Sequence, residues 1–160
     1  MNVRLKKIAD RIRSEIMEID LLIGRAERAW QHGLNSEDEY YLDSVALNLH
    51  GFYSGIERIF EIIATNIDAN KPVGENWHRV ILNQMADEIP SVRPAVISAD
   101  IYVQLNEFRG FRHIVRNVYT FKFDPNKIKK LVNQTPSLFL DIKQELLAFA
   151  DFLEDSALTE

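Results

Sequence analysis

The stretch Leu42-Asp-Ser-Val-Ala-Leu-Asn-Leu-His-Gly-Phe-Tyr-Ser-Gly-Ile-Glu-Arg-Ile-Phe-Glu-Ile-Ile63 decides the fold. Leu42, Val45, Leu49, Phe52, Ile56, Ile59 and Ile63 follow one another at alternating steps of three and four. That spacing returns every apolar side chain to one stripe of a helix, as in bundles and coiled coils. It predicts a helix that ends near Asp68, before the breaker Asn70-Lys-Pro-Val-Gly74. Gly51 and Gly55 fall in the seam, where small residues permit close helix packing.

The same period extends outward on both sides. Leu5, Ile8, Ile12, Ile19, Leu22, Ala26 and Trp30 predict a long amphipathic helix from about Val3 to Gln31. Gly33 reads as its stop, and Ser36 with Glu39 has capping-box spacing for the next helix. Beyond the breaker, a shorter helix is expected around Trp77 to Glu88, followed by an extended loop imposed by Pro90 and Pro94. A third long helix is predicted from Ser98 or Asp100 to about Val118, then an extended stretch from Thr120 to Phe123. Asp124-Pro125 opens a short helix, and Thr135-Pro136 repeats the signal for a last one carrying Phe139, Ile142, Leu146, Phe149 and Leu153. These elements define an all-α, antiparallel up-down four-helix bundle with additional short helices, in one domain over residues 1–160.

Composition narrows the function classes. There are no cysteines, which excludes disulfides, cysteine zinc sites and thiol nucleophiles. The four histidines lack metal-site spacing, and no glycine-rich phosphate loop occurs, so neither a metal nor a cofactor is expected. The net charge of −5 makes a wholesale grip on nucleic acid unfavourable, so any such contact has to be local. No apolar run approaches the ~20 residues of a membrane span. The N-terminus shows no signal-peptide pattern, and a cytoplasmic setting is expected.

One segment departs from ordinary bundle sequence: Phe108-Arg-Gly-Phe-Arg-His-Ile-Val-Arg-Asn-Val-Tyr119. On a helical wheel Arg109, Arg112, His113, Arg116, Asn117 and, if the helix reaches it, Tyr119 fall within about 80° of Arg109, while Phe108, Phe111, Ile114, Val115 and Val118 take the opposite arc. Like charges at these spacings repel by a few tenths of a kcal/mol per pair, so acids across the bundle or a ligand anion should offset them. Arginine suits phosphate because its planar fork donates two parallel hydrogen bonds. Histidine exchanges a proton near neutral pH. Together they fit metal-free cleavage of an RNA backbone. The bland alternative leaves Arg109 and Arg116 solvated and pairs Arg112 with Glu57 or Glu61. His50, Tyr53 and Glu57 share one side of the second helix, where Glu57 serves either as the orienter of Arg112 or as half of an interhelical salt bridge. Trp77 and His78 read chiefly as an anchoring aromatic and its neighbour, and Phe121 and Phe123 as core or dimer contacts.

The segment also resembles the HEPN superfamily, and within it the HepT-like toxins of HEPN/MNT toxin–antitoxin pairs. The HEPN motif is Arg, a polar residue, about three more residues, then His, with Tyr often two positions later in HepT proteins. Arg112, His113 and Tyr119 match the Arg, polar and Tyr positions; Asn117 stands where the motif His belongs. Leu49-His-Gly-Phe-Tyr-Ser-Gly-Ile-Glu-Arg58, Asn76-Trp-His-Arg79, Arg93-Pro-Ala-Val-Ile97 and Phe111-Arg-His-Ile-Val-Arg116 are similar to one HepT-like subfamily in this order. The resemblance implies a homodimer that joins two motif copies in a cleft. It implies a metal-independent endoribonuclease acting on RNA, with tRNA among the implied substrates. It further implies an MNT-type nucleotidyltransferase antitoxin that silences the protein by AMPylation of Tyr119. Asn cannot exchange a proton near pH 7, which leaves three readings open. His113 takes over the proton transfer, or cleavage proceeds slowly by charge stabilisation, or the protein is a catalytically inactive HEPN interaction module that binds its partner without cutting.

Overall fold

The computed structural model describes residues 2–117, 119 and 122–159. Five helices follow one another: α1 (Val3–Ser36), α2 (Tyr40–Asn66), α3 (Trp77–Ala86), α4 (Ala99–Asn117) and α5 (Pro125–Thr159). Four are long and α3 is short. Cross-helix contacts fix their directions. The Asn2 amide donates to Ala157 O, and Arg13 bonds Asp151 and Glu154, so α1 and α5 run antiparallel. Arg4 reaches Asn66 O while Arg25 reaches Asn48, so α1 and α2 are antiparallel as well. The Ser98 amide meets Glu145 and Lys130 meets Glu107, which sets α4 against α5 in the same sense.

The α2 seam is the centre of the core. Val45, Leu49, Phe52, Ile56, Ile59 and Ile63 are all buried, and Leu42 packs at the edge. Ile8, Ile12, Ile16, Ile19 and Ile23 of α1 pack on the same core, as do Leu138, Ile142, Leu146, Phe149 and Leu153 of α5. At Gly55 α1 and α2 pack tightly: a β-carbon there would stand 2.6 Å from Ile19 Cγ1.

Helix boundaries differ from the sequence expectation in three places. Gly33 does not stop α1, which runs to Ser36 and is ended by Glu37 at φ 55°. A single glycine costs a helix only about 1 kcal/mol, and burial along the rest of α1 outweighs that. Ser36 does not cap α2; its hydroxyl turns back to His32 O, and Asp38 Oδ1 instead accepts the Tyr40 amide. Pro136 does not open a new helix but lies inside α5. The preceding residue, Thr135, is buried and its hydroxyl donates to Leu131 O at 2.6 Å. The apolar face on both sides of Pro136 holds the helix together across the one missing backbone hydrogen bond. Lesser differences are the ends of α2 at Asn66 and α3 at Ala86. Val118, Thr120 and Phe121, where a helix end and an extended stretch were expected, lie outside the described residues; Phe123 is buried.

The irregular segments flanking α3 are tied by Arg93. Its guanidinium donates to both carboxylate oxygens of Asp68, at 2.6 and 2.8 Å, and to the backbone oxygens of Gln84, Asp87 and Pro94. Both side chains are fully buried. This fixes α3 beside α2 and sets the start of α4. Among the described residues, no helix is long and apolar enough to cross a membrane.

Candidate phosphate-binding face and buried histidine–carboxylate pair

Packing decides how α4 presents its cations. Phe108 and Phe111 are buried. The Phe108 ring meets Phe52 edge-on at 5.2 Å, and Phe52 in turn meets Phe139. With that arc pinned, the opposite arc faces away from the core. His113, Arg116 and Asn117 are exposed, while Arg109 and Arg112 are half-buried against the edge of α2. The wheel drawn from sequence thus matches the arrangement in space from Phe108 to Asn117, and Tyr119 lies beyond the end of α4.

The arginines have few acids to meet. Arg112 Nε lies 3.9 Å from Glu57 Oε1, the outer limit of an ion pair and too long for a hydrogen bond. Arg109 donates to Asn106 Oδ1 at 3.0 Å. Among the described residues, neither Arg109 nor Arg116 has a carboxylate within salt-bridge distance, and Glu61 pairs with Lys71 at 3.6 Å. So three guanidiniums share one face with a single loosely placed carboxylate.

Glu57 takes its hydrogen bond elsewhere. Its Oε2 lies 2.7 Å from His78 Nδ1 at the start of α3. The carboxylate is 3 % exposed. Burial pushes the Glu57 carboxyl up to about 7, a rise that Glu61 adds to and Arg112 opposes. Burial, and then the charges of Arg112, Arg116 and Arg109, hold the His78 imidazole down at about 4. The same burial, followed by Arg112 and Arg116, lowers His50. Tyr53, one turn before Glu57, is raised above the ordinary phenol range, first by burial and then by the Glu57 charge. His50 Nε2 is buried with no hydrogen-bond partner, and the Tyr53 hydroxyl is buried beside Glu57. The cationic field of α4 therefore converges on one polar edge made by α2 and α3. A buried polar atom left unpaired in this way is costly.

At the other end of the face, the Asn117 side-chain amide donates to His113 O at 2.8 Å and lies 3.2 Å from His113 Nδ1. An amide nitrogen has no lone pair to offer, so Nδ1 is the acceptor and the neutral ring keeps its proton on Nε2. Tyr119 is 72 % exposed, with Lys122 Nζ 6.0 Å from its ring centroid. Among the described residues, no group of three or more His, Asp or Glu side chains is placed to hold a metal ion.

Most of the residues read from the sequence as site candidates come together along α4. What the sequence reading undervalued is His78, which it took chiefly for the neighbour of an anchoring tryptophan. The Trp77 and His78 rings do touch, with centroids 3.7 Å apart and planes tilted by 34°. Yet the imidazole also reaches across to α2, a contact between residues 21 apart that no local pattern encodes.

An all-α bundle with an arginine face and a buried polar edge defines the class. A family model described as HepT-like protein matches residues 44–153, and the chain belongs to that family, within the HEPN superfamily. The match takes in α3, α4, all of α2 but its first turn, and α5 to within two turns of its end. Neither a curated protein nor a solved structure matches the chain.

Proposed function

We propose that this protein is the toxin-type component of a HEPN/MNT pair. It works as a homodimer and cleaves RNA without a metal, binding backbone phosphates through Arg109, Arg112 and Arg116. The observation that carries this reading is the charge imbalance of the α4 face: its three guanidiniums face one carboxylate, Glu57, at 3.9 Å from Arg112. A phosphate anion supplies the missing negative charge, and the planar guanidinium fork fits it. His113, with its ring proton on Nε2, is a hydrogen-bond donor to such a phosphate. A nucleotidyltransferase partner silences the protein by transferring an adenylyl group to Tyr119. The exposure of that side chain supports its role as acceptor. The added phosphate brings negative charge beside the arginines and competes with RNA for them. This places the protein in the cytoplasm, with RNA and the nucleotidyltransferase as its partners.

One observation favours a second reading, a HEPN module that binds a nucleotidyltransferase without cutting RNA. Asn117 occupies the motif histidine position and its amide is engaged with His113. Expression in a bacterial host separates the two. The cleaving toxin arrests growth, Arg112→Ala relieves the arrest, and co-expression of the nucleotidyltransferase encoded beside it relieves the arrest with a mass gain of one adenylyl group on Tyr119. Unimpaired growth and intact RNA with the natural chain alone favour the module.

A further inference from the structure

On the α4 face the ring nitrogen of His113 able to take a proton, Nδ1, is the one the Asn117 amide nitrogen faces at 3.2 Å. Asn117 has no acid–base chemistry, and His113 in its neutral form presents Nε2–H, a donor. A second histidine, with its other ring nitrogen unengaged, stands on the α2–α3 edge. We infer that His78 is the general base of the cleavage reaction, with Glu57 as the positioning residue that holds its ring by Nδ1 and leaves Nε2 to take the proton of the attacking 2′-hydroxyl. This rests on the RNA-cleaving reading above.

Four observations meet there. The Glu57 Oε2 to His78 Nδ1 contact of 2.7 Å fixes the ring. The Trp77 ring packs against the imidazole, with centroids 3.7 Å apart. Nε2 makes no hydrogen bond and is not among the buried orphan atoms, so the unused nitrogen of this ring reaches solvent. Arg112, the cation nearest Glu57, is beside the pair, so a phosphate held by Arg112 lies at the same edge.

The carboxylate–imidazole arrangement also sets which nitrogen acts. With Glu57 ionised, Nδ1–H donates to it and Nε2 carries the lone pair. When the pair takes up one proton, Nε2 bears hydrogen whichever partner holds the charge. The pair therefore changes from base to acid as a unit, and the Glu57 carboxyl at about 7 places that change near neutrality. The groups that set it are Tyr53 and Glu61 on α2 and Arg109, Arg112 and Arg116 on α4.

The step balances as follows. The 2′-oxygen bonds to phosphorus and its proton passes to His78 Nε2. The bond from phosphorus to the 5′-oxygen breaks, leaving a 2′,3′-cyclic phosphate. The 5′-oxygen takes a proton from water, and the hydroxide so formed takes the proton back from His78.

A histidine that merely clamps α3 to α2 would use only Nδ1. His78→Asn separates the two roles, because the asparagine amide keeps a donor near Nδ1 and has no base. Cleavage of a fluorogenic RNA by the purified full chain in EDTA is expected to fall ~10²-fold or more in His78→Asn, in line with the loss of a general base, at unchanged thermal stability. In the wild type the rate rises with pH through a limb near 7. In Glu57→Gln that limb moves to lower pH and the plateau drops, because the ring loses the carboxylate that supports its protonated form. Ring nitrogen NMR of the wild type is expected to give the Nδ1–H form of His78 above neutral pH. Wild-type cleavage retained within a few-fold in His78→Asn overturns this inference and leaves the function standing, as does an Nε2–H ring above neutral pH. A wild type that leaves RNA intact overturns both.

Discussion

Glu57 on α2 and His78 on α3 share a 2.7 Å contact inside a polar edge that three α4 arginines charge positively. The two groups respond to pH in opposite senses. Glu57 binds its proton more tightly folded than unfolded, so its contribution to stability falls as pH rises from about 4.5 to about 7. His78 binds its proton less tightly folded, so its contribution rises with pH from about 4 to about 6.5. Across the shared window the two oppose each other. Glu57→Gln removes the first contribution and moves the His78 window to lower pH. Its stability relative to the wild type is expected to climb as pH goes from 4.5 to 7, measured by urea denaturation at each pH. A constant difference between the two proteins over that range would contradict the burial of an ionising Glu57.

Arg93 and Asp68 form an ion pair with both side chains fully buried. Removing one partner of such a pair costs ~3–5 kcal/mol because the other is left charged and unsolvated. Arg93→Met is expected to cost that much in chemical denaturation, since it also strands the backbone oxygens of Gln84, Asp87 and Pro94. Asp68→Asn is expected to cost less, because Arg93 keeps those three acceptors.

The two glycines of α2 should respond differently to alanine. At Gly55 the new methyl collides with Ile19, a buried side chain, and overpacking of this kind costs ~1–3 kcal/mol. At Gly51 the nearest atom is Leu22 Cδ1 at 3.2 Å, the movable end of a half-buried side chain. There the gain in helix propensity of about 1 kcal/mol offsets the crowding. Gly55→Ala is expected to lower the melting temperature and Gly51→Ala to leave it unchanged or raise it.

Asn117→His restores a proton-exchanging side chain at the motif position. It also removes the amide that donates to His113 Nδ1. Cleavage of a short RNA is expected to quicken tenfold or more, at the lower end of the ~10²–10⁴-fold range for general acid–base groups, because the His78 base already acts. An unchanged rate would place residue 117 outside the reacting centre.

Much of this architecture was legible because helices announce themselves locally. The strict three–four seam from Leu42 to Ile63 gave α2, and the same period gave α1. The α4 wheel separated Phe108 and Phe111 from the arginines, and the structure places them so. Where reading failed, a non-local energy decided. Pro136 looks like a helix start until the apolar faces on both sides are seen to pack on one core. Gly33 looks like a stop for the same reason. The pairings of His78 and Arg93 carry no local signal, since their partners, Glu57 and Asp68, are on another element. Glu57 does stand against Arg112 as expected, at 3.9 Å, while its hydrogen bond goes to His78.

Strand cleavage by the arginine face is the central claim, and end-group analysis of RNA incubated with the purified chain in EDTA tests it most directly. The account predicts fragments ending in 2′,3′-cyclic phosphate, and a loss of ~10²-fold or more in Arg112→Ala, the scale of removing one donor to developing negative charge. RNA left intact by the wild type, or cut equally well by Arg112→Ala, would contradict it.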